Sequence, residues 1–262
     1  MTRRSRLPPL SLVLSCEHGG NRVPATYRAL FASPRARRAL ASHRGYDAGA
    51  LALAQHLSRR LCAPLVATTV TRLLVEPNRS PHHHALLSEF SRGLDAPARR
   101  ALVARHHTPH RQAVEEAVRA AMGGGARVLH VGVHSFTPEL GGERRTAELS
   151  LLYDPRRPHE LELCRAWQRM LRAQVEPWRV RRNYPYRGRD DGLTTHLRRV
   201  LPADRYLGIE LEVNQGLLAA GARGEPAFPA PVRSAVLASL AALLGGRPER
   251  RGPQAARRSS VV

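Results

Sequence analysis

The sequence predicts an α/β fold: a single domain with a mostly parallel twisted sheet flanked by helices. Three observations predict it. Segments with strand and helix periodicity alternate along the whole chain. The 262 residues, 42% of them hydrophobic, suffice for one core of that kind. Side chains that can bind metal or move protons stand where strand-like runs end, the place where open α/β sheets carry their sites.

Leu10–Ser15 is an apolar run closely followed by Gly19 and Gly20, and reads as the first strand. In AGALALAQHLSRRL, residues 48–61, apolar positions recur at helical spacing behind Asp47, a good N-cap or first-turn residue. Leu65–Val75 is β-branched and reads as one or two strands. Ala96–Met122 has the period of a long helix, broken by Pro109 and closed by Gly123-Gly124-Gly125. Val128–Val133 and Leu149–Tyr153 read as strands, and Glu160–Val175 as an amphipathic helix. Tyr206–Val213 reads as a further strand and Pro231–Leu244 as the last helix. No internal repeat is present. The catalytic domain is expected to span 10–245, after a short N-terminal segment (1–9). Residues 246–262, rich in Arg, Gly, Pro and Ser, read as a disordered basic tail.

The formal net charge is +21, and every basic residue apart from histidine is an arginine. Such a surface attracts polyanions. Only 5% of residues are aromatic and no nucleic-acid-binding motif is present, so no specific nucleic-acid partner is expected. Thr2-Arg3-Arg4-Ser5-Arg6-Leu7 and Val13-Leu14-Ser15-Cys16 resemble a twin-arginine start and a lipobox. The apolar stretch Leu10–Leu14 between them is shorter than a secretory h-region of about 7–15 residues. Nothing approaches the ~20 apolar residues of a membrane span. The expectation is therefore a soluble, cytoplasmic protein without a membrane partner. Cys16, Cys62 and Cys164 form no CxxC pair, which disfavours both a disulfide scaffold and a thiolate zinc site.

Any metal must then rest on histidines and carboxylates. His18 follows the first strand, His134 follows Val128–Val133, and Glu210 and Glu212 lie in the strand at 206–213. His18, Asp47 and His134 form a set that suits zinc, leaving a fourth position for water. A carboxylate must take that water's proton and pass it to a leaving amine. Glu210 or Glu212 can do so, since residues two apart on a strand share a face. Asn78-Arg79, in VEPNRS, offers an amide and a planar fork suited to a substrate carboxylate. His82-His83-His84 beside Pro81 reads as exposed loop, and His106, His107 and His110 as core or surface residues, with the lining of the cleft as the alternative. Each of these residues also has a plain structural reading: a satisfied strand-end histidine, a capping aspartate, a surface arginine.

Seven short motifs occur in one order: SCEHGGNRVP, GYDAGALALAQHL, EPNRS, GVHSFTP, LLYDP, NYPYRG with DGLT, and GIELEVNQ. From about residue 11 to 216 the chain thereby resembles the N-formylglutamate amidohydrolase family. The resemblance implies a zinc-peptidase-like fold, related to zinc carboxypeptidases, aspartoacylases and N-acetylmuramoyl-L-alanine amidases. It implies hydrolysis of N-formyl-L-glutamate to formate and glutamate, late in histidine breakdown, with one Zn²⁺ per chain and a small N-acyl amino acid as partner. By context His18, Asp47, His134 and Glu210 match the muramoyl amidases' metal ligands and catalytic glutamate, with Asp in place of Glu at the second ligand. Glu212 becomes a supporting acceptor. Asn78 and Arg79 resemble the pair that holds the substrate carboxylate in carboxypeptidases and aspartoacylases. Arg144 or Arg187 would serve the oxyanion. Members with the named activity tend to read PHSG and DLNR where this chain reads EHGG and EPNR, a difference that bears on substrate preference. A cell-wall amidase or peptidase, and a non-catalytic nucleic-acid-binding protein, are the alternative readings.

Overall fold

Residues 10–174, 176–221 and 224–245 are described in a computed structural model. The segments expected as N-terminal extension and basic tail lie outside them. Six strands make the central sheet: β1 (Leu10–Cys16), β2 (Leu65–Ala67), β3 (Arg127–Phe136), β4 (Leu149–Leu152), β5 (Val180–Arg182) and β6 (Tyr206–Asn214). Their order is β2-β1-β3-β6-β4-β5. The first four run parallel; β4 is antiparallel to β6, and β5 is parallel to β4. The expected mostly parallel α/β sheet is therefore present.

The period of two explains which face does what. Leu12, Leu14, Leu129, Val131, Val133, Leu207, Ile209 and Leu211 fill one face. Helices α2 (Ala50–Leu61), α5 (Pro158–Gln174) and α7 (Ala230–Leu243) cover it, through Leu53, Leu57, Trp167, Val236 and Leu240. On the other face α4 (Thr108–Ala121) and α6 (Leu193–Val200) cover only the lower rows, where Val114, Val118 and Leu197 meet Val13, Val128 and Tyr206. Above those rows the same face carries polar residues. His130 pairs with Gly208, Gly132 with Glu210 and His134 with Glu212 across β3 and β6. The sheet's uncovered upper corner is thus built by alternation alone.

Several elements differ from the sequence reading. Of Leu65–Val75 only β2 is strand; the rest is loop, with Leu73, Leu74 and Val75 buried in a satellite cluster against Tyr27, Phe31 and Leu102. Apolar loop and apolar strand look alike without periodicity. The long helix at 96–122 is two, α3 (Ala96–Leu102) and α4, joined by a π-helical turn at Val103–His107. Pro109 lies in the first turn of α4, where its missing N–H costs nothing within that helix, and the ladder widens just before it. α1 (Pro34–Ala41), α6 and β5 were not foreseen. β3 extends to Phe136, so His134 lies inside the strand rather than beyond it.

Below the open corner, fully buried His130 lies 2.8 Å from both the Ser15 hydroxyl and the Tyr206 hydroxyl. Burial, which the nearby Glu17 does not offset, lowers its pKa to about 4. The folded ring stays neutral while the unfolded chain takes a proton below its ordinary value near 6.5. Stability present above pH 6.5 should therefore fall as pH drops from about 6.5 to about 4, by roughly 3 kcal/mol. Urea unfolding of wild type and His130→Gln at stepped pH checks this. The variant's stability should change less over that window, and equal slopes would exclude His130 as the source.

Candidate active site

β1 delivers Glu17 and His18 to the open corner. The Gly19 N–H then donates to the Thr68 carbonyl at 3.0 Å, and a Cβ at Gly19 would lie 2.8 Å from that oxygen. The glycine lets the chain run flush against the segment after β2. The Asp47 N–H donates to the His18 carbonyl at 2.9 Å, which ties the segment just before α2 to the end of β1. Asp47 does not cap α2. Gly49 is the N-cap at φ +79°, without a side-chain bond, and the Asp47 carboxylate turns to the histidines.

Asp47 Oδ2 lies 3.1 Å from His18 Nδ1 and 3.0 Å from His134 Nδ1. All three residues are buried, and they form the one metal-capable cluster found among the described residues, with ligand atoms within 4.8 Å of one another. A tetrahedral zinc with bonds of ~2.0–2.1 Å separates its ligand atoms by roughly 3.3 Å, so the two nitrogen–oxygen distances and the donor types suit such an ion. The far nitrogens are held too. His18 Nε2 is 2.5 Å from Glu76 Oε1, and His134 Nε2 is 3.1 Å from Glu17 Oε2, though poorly aligned for a full hydrogen bond. Arg72 donates to Glu76 at 2.6 Å and to Asp47 at 3.4 Å.

Charge balance points the same way. Burial would raise Asp47, but His18 and His134 hold it far below the usual carboxylate range. Glu17 stays low against burial through His110 and His134, and Glu76 through Arg72 and His18. Burial and Arg72 would lower His18, but Glu76 and Asp47 raise it; His134 is raised well above normal by Asp47 and Glu17 in spite of burial. Three buried carboxylates thus gather positive charge onto two imidazoles, a load that a divalent cation would satisfy.

Both glutamates of β6 line the same cavity, of about 470 Å³. Glu210 is half-buried, and its Oε1 accepts from Asn78 Nδ2 at 3.4 Å and Thr194 Oγ1 at 3.3 Å. Glu212 is buried beside His134, and its Oε2 has no hydrogen-bond partner. Burial, with Asp47 and Glu210 nearby, pushes its pKa to about 8. The loop at 76–80 and the segment 190–195, which enters α6, clasp each other above Glu210. The Leu193 N–H donates to Asn78 Oδ1 at 2.7 Å, the Ser80 N–H donates to Asp191 Oδ2 at 2.8 Å, and the Arg79 guanidinium donates to the Asp191 carbonyl.

Of the residues expected from sequence, His18, Asp47, Asn78, Arg79, His134, Arg187, Glu210 and Glu212 all line this cavity. Arg144 does not. It lines a second cavity with Arg145 and Arg179, because it sits on the exposed hairpin between β3 and β4. Asn78 uses both ends of its amide within the protein, on Glu210 and on Leu193. Arg72 and Glu76 were missed as site residues, and Glu17, which with His18 closes the first strand, was given no role. The signal for Arg72 and Glu76 was a charge pair four apart inside the apolar run TRLLVE. His107 and His110, expected as core or surface, brace the site: His107 Nε2 is 2.9 Å from the Arg79 carbonyl, and His110 Nε2 is 3.4 Å from Glu17. His82 and His84 are exposed as expected.

Comparisons with known proteins accord with this arrangement. The chain matches the family model described as N-formylglutamate amidohydrolase over residues 10–219. It is similar to the crystal structure of a gene product from Agrobacterium tumefaciens, with 28% identity and a TM-score of 0.72, over 90% of this chain and 89% of that one. It also shares its fold with an N-formylglutamate amidohydrolase from Ralstonia eutropha, with 21% identity and a TM-score of 0.63, over 92% and 93% of the two chains. No curated protein matches it in sequence.

Proposed function

This chain belongs to the N-formylglutamate amidohydrolase family, and from that premise we propose that it hydrolyses the amide C–N bond of a small N-acylated amino acid by a metal-dependent route. N-formyl-L-glutamate is the first substrate to test. The observation that carries the metal-dependent reading is the meeting of His18 Nδ1, His134 Nδ1 and Asp47 Oδ2 in the cavity that also holds Glu210. Those three residues would hold zinc, one per chain. When bound, it would supply Lewis-acid polarisation of the amide carbonyl and a lowered pKa for the attacking water.

The remaining steps belong to the chain. Asn78 and Thr194 engage Glu210 Oε1, which leaves Oε2 to take the water's proton and return it to the leaving nitrogen. Arg79 presents its remaining N–H donors to the substrate's carboxylate, and the exposed Arg187 guanidinium at the rim is the candidate for the oxyanion. Three free cysteines support a cytoplasmic setting, where the reaction would serve histidine breakdown. Metal analysis of purified protein, followed by a screen of N-formyl and N-acetyl amino acids for acid release, tests the reading. Metal-free protein with full activity would end it.

Arg79→Lys should raise KM strongly, because a point ammonium cannot reproduce the fork. The expected loss is on the order of 2–3 kcal/mol in kcat/KM. Steady-state kinetics on an acidic substrate and on its amide check this. Equal losses on both would show that Arg79 does not read the carboxylate.

A further inference from the structure

An imidazole offers one lone pair, on Nδ1 or on Nε2, and the partner of the other nitrogen decides which. Here both candidate metal histidines have a buried carboxylate at Nε2: Glu76 behind His18, and Glu17 behind His134. Each carboxylate is itself held, Glu76 within its own loop and Glu17 from α4. Glu76 takes Arg72 at 2.6 Å and the Asn78 N–H at 3.0 Å; Glu17 takes His110 of α4 at 3.4 Å. The space for the second pair is made by Gly132, where a Cβ would lie 3.3 Å from His134 Nε2 and 3.6 Å from Glu17 Oε2.

We propose that Glu17 and Glu76 are paired positioning residues, each fixing one imidazole with Nε2–H inward so that both present Nδ1 to one divalent cation beside Asp47. The inference rests on the metal-dependent reading above. The two brackets are unequal: the Glu76 contact is shorter, better aligned and doubly supported, so its removal should matter more. The same two glutamates stand where this chain reads EHGG and EPNR. Orientation by partners of this kind is worth about 10–100-fold in metal affinity.

Two measurements test it. The first is zinc affinity, by chelator competition, of wild type, Glu76→Gln, Glu17→Gln and Glu89→Gln. Glu89 lines the same cavity but pairs with Arg44, so it controls for lost charge alone. Affinity should fall about 10–100-fold in Glu76→Gln, somewhat less in Glu17→Gln, and by less than either in Glu89→Gln. The second needs no variant and covers a failure of one to fold: ¹⁵N-histidine NMR of the zinc-loaded wild type should show two rings ligated through Nδ1 with protonated Nε2. Ligation through Nε2 in either ring, or affinities in both glutamine variants no lower than in Glu89→Gln, would overturn the inference while leaving the metal site standing. A wild-type protein that binds no zinc would instead remove the metal-dependent reading, and this inference with it.

Discussion

Replacing Glu210 with glutamine should yield a folded, metal-binding protein that has lost at least ~10²-fold in kcat, the low end for general acid–base catalysis. Glutamine keeps the shape and can still accept from Asn78 and Thr194, whose bonds go to a single oxygen. Only the proton acceptor is gone. Glu212→Gln should cost less. Same-face neighbours on a strand are about 6.5–7 Å apart, so only one of the two carboxylates can reach the reacting water. Glu212 sits a row higher, buried against His134, whereas Glu210 is open to the cavity and held by two donors. Single-turnover rates and zinc content of both variants decide it. A dead Glu212 variant beside an active Glu210 variant would reverse the assignment.

Loss of a metal ligand should be still more complete. Wild type should carry about one zinc per chain, and His18→Ala or His134→Ala should lose most of it together with activity. The effect extends to stability. At a free zinc concentration of about a thousand times Kd, binding to the folded state alone adds about 4 kcal/mol. Wild type should show that as a fall in Tm on chelation, and the alanine variants should show almost none. His134→Ala should also weaken the metal-free fold, because it leaves Glu17 and Asp47 buried without the ring between them. Thermal melts with and without chelator check both points, and an equal chelator effect in all proteins would place the ion elsewhere.

The sheet was legible because its central strands carry long apolar runs, and because GVHSF and IELEV show alternation directly. What alternation cannot reveal is which loop folds over the open corner. Arg72 sits in, and Glu76 directly follows, a segment that reads as strand from its β-branched residues, yet the structure makes it loop and turns both charges into the site. The plain reading of Asp47 as a helix cap does not hold, since Gly49 takes that position and frees the carboxylate. Arg144 was misplaced because the Gly141-Gly142 hairpin, with both residues at positive φ, carries it to another cavity. α6 was overlooked in an arginine-rich stretch, although its first turn supplies Thr194. Roles of residues that act through others were the least visible, since a distance such as that between Glu17 and His110 has no trace in local pattern.

That same exposed hairpin divides the chemistry along the chain. Every residue assigned to holding the cation, His18, Asp47 and His134 with Glu17, Glu76 and His110 behind them, precedes Gly141. Glu210 itself, with Asp191 and Thr194, follows Gly142, while Asn78 reaches Glu210 from the first portion. The two portions meet along β3 and β6, whose nine paired positions run from Val128 with Tyr206 to Phe136 with Asn214. A chain opened at the Gly-Gly tip would therefore leave the cation ligands on one fragment and Glu210 on the other, and turnover would require both fragments joined along that seam.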